Sequence, residues 1–338
     1  MGAEMTSRER VYATLDFRGP DRLPTDFWPL PSTWWGRETE VNALLAKYPT
    51  DFGGLGVENV FNIDGYTAGT LVDVWGCEWT NLQDGVIGEV KRSPLDDYTK
   101  LARYAWPAVV FGPGWGKAAD SIAAQRQRFI LGYAGDPFER MQFLRGPASL
   151  YEDLADEDCS AVYELRDRVF AMLRRYVERW VTLDVDAVQF GDDWGSQRAL
   201  LISPQKWREF YKPKYREVFD IVRDAGKRIF FHSDGHILDI YPDLIEMGVS
   251  AINSQVWCMG LEQLAPLAGK VTFWGELDRQ EMLPRGTPGR IREGQRQMVA
   301  AFYRNGGLIG QSSVDKLSSL ENVEAAVAGW WEIRLPRA

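Results

Sequence analysis

The chain holds only two histidines in 338 residues, and both fall in one pentapeptide, His232-Ser-Asp-Gly-His236. Any imidazole chemistry must happen there. His232 closes an apolar run, RIFFH, and Asp234 follows two residues on. Alternate residues of an extended strand share a face, so this pair can orient an imidazole for acid–base catalysis or share a hard metal ion. Glu276, ending a later apolar run, is the third ligand expected for zinc or another divalent ion beside His232 and Asp234. His236 opens the following helix and points away, which gives it a structural role. Asp192 and Asp193 form a second acid–base candidate, in which one carboxyl would be raised by its neighbour. Adjacent strand residues point oppositely, so at most one of the two is expected to face a pocket.

These residues need elements to position them. From about residue 128 onward, short apolar runs alternate with longer helical patterns. The runs are Arg128–Tyr133, Asp186–Gly191, Arg228–His232, Ser250–Ser254, Val271–Gly275 and Gly307–Gln311, with an earlier one at Leu23–Phe27. Each reads as a strand buried on both faces. Between them, Ala161 to Leu183 carries apolar side chains at helical spacing. Ser203-Pro204 opens a helix that runs to Ala225 and stops at Gly226, and Thr287-Pro288 opens another. Asp136-Pro-Phe-Glu139 reads as a helix cap. A β-hairpin turning at Asp84-Gly85 is expected within residues 71–92. This alternation predicts a (β/α)8 barrel: one domain over 1–338, with an elaborated part over 1–125 and regular β/α units over 126–335. An open doubly wound sheet is the alternative. It finds no support in a GxGxxG or a Walker-type phosphate loop, since neither occurs.

A β/α barrel carries its functional groups at the carboxyl ends of its strands. Polar residues recur at those positions here, with Gln197, Asn253, Gln255 and Asp278 joining the residues above. Each alone could be an ordinary cap, but together they predict a polar pocket. Trp28 and Trp75, from an N-terminal part rich in tryptophan, could wall a planar substrate. With Arg145, these six residues make up the expected substrate contacts.

Composition narrows the class of function. Acidic residues number 48 against 39 basic ones, a formal charge of −9. No run of Lys and Arg suggests a nucleic-acid footprint. No apolar stretch approaches the ~20 residues that span a bilayer. Three well-separated cysteines, Cys77, Cys159 and Cys258, suit a reducing cytoplasm better than a disulfide scaffold.

Several blocks carry a resemblance to a known family. SRERVYATLDFRGPDRLP, VDVWGCEW, FERMQFLRG, FGDDWGSQRALLISPQKWREFYKP, FFHSDGHILDIYPDLIEMGVSAIN, FWGELDRQEMLPRGTP and NGGLIG, leading to SSLENV, occur in this order. Together they resemble the uroporphyrinogen decarboxylase superfamily over essentially the whole chain. The resemblance implies a (β/α)8 barrel and one of two activities: decarboxylation of uroporphyrinogen, or cobalamin-dependent methyl transfer, including demethylation of methoxylated aromatics and methylamines. The decarboxylases bind their substrate's carboxylates through an Arg-rich N-terminal segment. The matching stretch here, Phe27 to Arg37, holds one arginine, and an octa-anionic tetrapyrrole would need several. Thiol-methylating members bind zinc through His-x-Cys and a distant Cys. Here the motif reads His232-Ser233-Asp234, and the late position falls near Ser312. Both thiolates are replaced, which leaves the harder His232, Asp234 and Glu276 set for a metal.

The expectation is therefore a methyltransferase that moves a methyl group from a small methylated substrate, such as a methoxy-aromatic, to a corrinoid. Because no corrinoid-binding DxHxxG motif occurs, the corrinoid would arrive on a partner protein. A homodimer is compatible with the chain. A porphyrinogen decarboxylase and a barrel that binds ligand without turnover are the alternatives.

Overall fold

Strand alternation decides which way each barrel side chain points. The computed structural model describes residues 4–335, apart from 64 and 110. In chain order its strands are β1 (Thr25–Pro29), β2 (Phe52–Gly53), β3 (Gly69–Val72), β4 (Glu78–Asn81), β5 (Glu89–Arg92) and β6 (Phe129–Gly135). They continue with β7 (Ala187–Gly191), β8 (Arg228–Ser233), β9 (Ala251–Ser254), β10 (Thr272–Glu276) and β11 (Leu308–Val314). Eight of them form one parallel sheet in the order β1-β11-β10-β9-β8-β7-β6-β2. The two ends meet where the Asp51 amide donates to the Thr25 carbonyl at 2.9 Å. The sheet is a nearly closed (β/α)8 barrel.

The first 125 residues supply β1 and β2 to this barrel, so both parts of the chain share one sheet. The strand Phe52–Gly53 escaped the sequence reading because two residues carry no periodicity. The expected hairpin turns where foreseen, between β4 and β5, but β3 also pairs with β4, giving a three-stranded antiparallel sheet.

Inside the barrel pack Phe52, Phe129, Ala187, Phe230, Ala251, Trp274 and Ile309, one from each of seven strands. Val11 and Leu15, from the helix Ser7–Leu15, pack on this cluster. Their neighbours in sequence, among them Ile229, Phe231, Ile252, Phe273 and Leu308, point outward to the helix layer. Each fully buried side chain of this size stabilises by ~1.5–3 kcal/mol. The helix Ser160–Val181 buries Val162, Leu165, Val169, Leu173, Tyr176, Val177 and Trp180 on one face, as their spacing requires.

Two helical expectations change. The segment after Ser203-Pro204 is not one regular helix; it widens to a π-helical turn over Trp207–Tyr211 before continuing as Lys212–Asp224. Pro213 lacks the N–H that would close the regular ladder there. Asp136 makes no capping bond to the helix Pro137–Arg145. Asp192 does so instead, from the neighbouring strand end, accepting from the amides of Phe138 and Glu139 at 2.9 Å each. Among the described residues no helix is long and apolar enough to cross a membrane.

Candidate active site at the barrel mouth

The inward rows turn from apolar to polar at the carboxyl end of the barrel. Two residues after inward Phe230 comes His232; after Ala251, Asn253; after Trp274, Glu276; after Ile309, Gln311. Alternation therefore delivers all four side chains to one mouth. His232 and Asn253 are register partners across β8 and β9.

His232 Nδ1 lies 2.6 Å from Asn253 Oδ1, while Asn253 Nδ2 donates to the Trp274 carbonyl at 2.7 Å. The Asn253 oxygen must accept, so Nδ1 carries a proton and Nε2 is the nitrogen that titrates. Nε2 faces Asp193 Oδ1 at 3.5 Å and Asp234 Oδ1 at 3.8 Å. Burial pulls the imidazole pKa down, but Asp193, Asn253 and Glu276 outweigh it and lift His232 to about 9. Trp28 stands edge-on to the imidazole, ring centroids 5.5 Å apart. Its indole donates to Asp26 Oδ2 at 2.8 Å, as does that of Trp274 at 3.1 Å. Burial of the Asp26 carboxyl raises it to about 6 against these donors.

Loop geometry presents the acids. Gly235 adopts φ of +77°, and a Cβ there would lie 2.0 Å from the Gly195 carbonyl oxygen, so only glycine lets the β7 and β8 loops close on each other. That closure holds Asp193, whose carboxylate also accepts the Asp234 amide at 2.9 Å. A Cβ on Gly191 would fall 2.0 Å from Asp136 Oδ1. Glycine there admits Asp136, hydrogen-bonded to Tyr133, into the field of His232. Burial raises Asp136 to about 6 and Glu139 well above the carboxylate range, with Asp193 adding to both. Glu276 is 1% exposed, and burial raises it to about 7.

Of the expected site residues, Asp193, His232, Asp234, Asn253, Glu276 and Trp28 converge here. Gln197, Gln255, Glu276 and Asp278 line one adjoining cavity. Asp278 also accepts the Gln280 and Glu281 amides. Asp192 faces away from the mouth, fully buried and bonded to Phe138, Glu139 and Tyr215, so its oxygens are spent on structure. Two expectations are corrected outright. Trp75 is buried in the N-terminal core, its indole donating to the Val60 carbonyl at 2.6 Å. Arg145 pairs with Asp153 at 2.7 Å and covers the Tyr98 ring, away from the mouth.

The metal expectation also shifts. Asp193, not Glu276, joins His232 and Asp234: one ligand atom from each lies within 4.8 Å of the others. Arg279 accounts for the difference, because it pairs with Asp234 and brings its Nε to 3.3 Å from Glu276 Oε1. Asp234 Oδ1 has no hydrogen-bond partner among the described residues. Once it gives up its proton, Nε2, on a ring braced through Nδ1 and with two carboxylate oxygens beside it, completes a donor set that fits a divalent ion. Sequence reasoning missed Asp136, Glu139 and Arg279. The first two sit in a capping motif, and Arg279 follows a strand end like any surface residue.

A barrel of this form, with braced histidine and acids at its mouth, belongs to the class of (β/α)8 proteins that place a reactive site at the carboxyl ends of their strands. The uroporphyrinogen decarboxylase (URO-D) family model matches residues 81–327, and the chain belongs to that family. It is similar to the uroporphyrinogen decarboxylase of Christiangramia forsetii, 22% identical over 235 residues, covering 65% of this chain and 64% of that protein. It is also similar to the Geobacillus kaustophilus uroporphyrinogen decarboxylase, 26% identical over 122 residues and 34% of each chain. The chain thus spans less than two thirds of the length of either curated relative. A methyltransferase from Methanosarcina mazei shares the fold, with a TM-score of 0.69, 17% identity, and coverage of 97% of this chain and 99% of that one.

Proposed function

We propose that this protein is a methyltransferase, taking a methyl group from a small methylated substrate at the barrel mouth and passing it to a corrinoid on a partner protein. The charge of the mouth carries this reading against porphyrinogen decarboxylation. Asp136, Glu139, Asp193, Asp234, Glu276 and Asp278 gather there, and Arg279 is already paired with Asp234. Arg37 adds no guanidinium to the mouth, since it is tied to the carbonyls of Thr33, Asp315 and Ser318. A polycarboxylate entering this field would meet repulsion rather than bidentate pairing.

When bound, a divalent ion on Asp193, His232 and Asp234 would supply a Lewis acid for the leaving group, and the corrinoid would supply the methyl acceptor. The chain's own residues do the rest. Asn253 holds the His232 ring in one tautomer, and Trp28 packs its edge against that ring. Glu276, with a pKa of about 7, retains a proton near neutrality that it can deliver to the departing heteroatom.

The test supplies metal-loaded enzyme with free reduced cobalamin and a panel of small methyl ethers and methylamines, following methylcobalamin by absorbance. Enzyme-dependent methylation that His232→Gln abolishes is expected. Tight binding of panel members with no methylation would favour the reading of a barrel that binds without turnover.

A further inference from the structure

The three-stranded sheet beside the barrel has two edge strands, β3 and β5, because β4 lies between them. Natural sheets guard such edges with charged side chains, proline or bulges, since an unpaired row of N–H and C=O groups invites another strand. β5 is guarded: it carries Glu89, Lys91 and Arg92, and its pairing with β4 is irregular between Glu78 and Trp79. β3 is not. From Gly65 to Val72 the chain carries no charge and no proline. Gly69, Thr70 and Val72 are exposed, Val72 at 64%. The edge is also held in place. Leu71 packs on the core behind the sheet. Asp73 closes the turn after β3, accepting the Trp75 and Cys77 amides at 2.9 Å each and pairing with Arg140 at 3.0 Å.

The direction of the unpaired groups follows from the register. The Asp73 amide donates to the Cys77 carbonyl at 3.0 Å, and facing residues of an antiparallel pair alternate between bonded and non-bonded. Leu71 with Trp79 and Gly69 with Asn81 are therefore bonded pairs, and Thr70 and Val72 turn their N–H and C=O groups outward. Those groups have no hydrogen-bond partner among the described residues. We infer that β3 is a docking edge for the β3 of a second copy of this chain, antiparallel about a two-fold axis at Leu71. Thr70 then faces Val72 of the partner subunit, and each chain gives two amides and takes two, four hydrogen bonds in all. Groups at i and i+2 of one strand are their own complement when that strand is inverted. Self-pairing also brings no like charges together within the edge, which matters in a chain of formal charge −9. Its cross-strand neighbours, Thr and Val, are both β-branched and suit an extended sheet. Four residues make a small contact, so the dimer is reversible and depends on concentration.

Sedimentation velocity of the full chain from ~1 to ~200 µM tests this, with monomer expected at the low end and dimer at the high end. Thr70→Pro deletes an N–H that points away from β4, so the internal ladder stays intact while half of the intersubunit bonds are lost. It should raise the dimer dissociation constant ~10-fold or more. Val72→Lys brings one ammonium group from each chain close to the axis and should also weaken the dimer, standing in if the proline variant fails to fold. Leu82, just past β4 and 94% exposed, serves as the control: Leu82→Lys should leave the dissociation constant where it is. Hydrogen exchange gives a local readout, with the amides of residues 69–72 slower in the dimer than in the monomer. A monomer across the whole range would overturn the inference. So would Thr70→Pro and Val72→Lys dimers as tight as wild type, dissociation by Leu82→Lys, or a dimer whose β3 amides gain no protection.

Discussion

Asp193→Asn isolates the electrostatics of the mouth in one substitution. The carboxylate lies 3.5 Å from His232 Nε2. Two unit charges at that separation attract by about 5 kcal/mol at an effective dielectric of ~20 and by about 1 kcal/mol in water. Asp193 is 38% exposed, so solvent screening places its contribution toward the lower figure. Removing it should lower the His232 midpoint from about 9 by ~1–2 pH units. The chain offers an unusually clean assay, because only two histidines are present. Selective isotope labelling of histidine gives two imidazole signals in NMR, and His236→Ala assigns them. The titration is run on metal-stripped protein, so that no ion competes with the proton. A wild-type His232 midpoint near the ordinary ~6.5, or an Asp193→Asn midpoint that does not move, would refute the carboxylate cage around the ring.

Stability contributed by Asp26, Asp136, Glu276 and His232 should fall as pH rises from about 4 to about 9. All four have raised pKa values and bind protons more tightly folded than unfolded, so their contribution is complete at low pH and lost through pH 6, 7 and 9 in turn. Urea melts across that range check the slope. Glu276→Gln should gain ~1–3 kcal/mol over wild type at pH 8 and nothing below about pH 4, as urea midpoints would show. Asp192→Ala should lose about 3 kcal/mol or more, because it leaves the Phe138 and Glu139 amides and the Tyr215 hydroxyl without their acceptor. Metal analysis after purification without chelator should find a divalent ion in wild type, His236→Ala and Glu276→Gln. His232→Ala and Asp193→Asn should both lose it. Retention in His232→Ala would break the ligand assignment.

The barrel is legible because each long strand is a short apolar run, buried on both faces, and such runs alternate with helical patterns along the chain. Their place at the carboxyl ends of those runs is what marks His232, Asn253 and Glu276 for one mouth in the sequence. What stayed hidden depended on contacts between distant segments. Asp192 and Asp193 look equivalent in sequence, yet a neighbouring helix N-terminus claims the first and leaves the second to the pocket. Asp136-Pro-Phe-Glu139 has the form of a self-contained cap, and nothing local reveals that Asp192 does the capping instead. Arg279 displaces Glu276 from the expected metal set through a pairing with Asp234, 45 residues away, which no spacing rule anticipates. Trp75 and Arg145 belong elsewhere, because their partners are the Val60 carbonyl, in the loop after β2, and Asp153, in the helix Pro147–Ala155.

The acidic mouth is the core of the functional reading, and uroporphyrinogen tests it most directly. The protein is incubated with uroporphyrinogen III under reducing conditions, without added cofactor, and coproporphyrinogen is quantified against an authentic decarboxylase. No product above the enzyme-free blank is expected, because the mouth gathers acidic side chains, Asp193, Asp234 and Asp278 among them, and the guanidinium of Arg279 beside them is already paired with Asp234. Enzyme-dependent formation of coproporphyrinogen would contradict the reading and make this chain a decarboxylase.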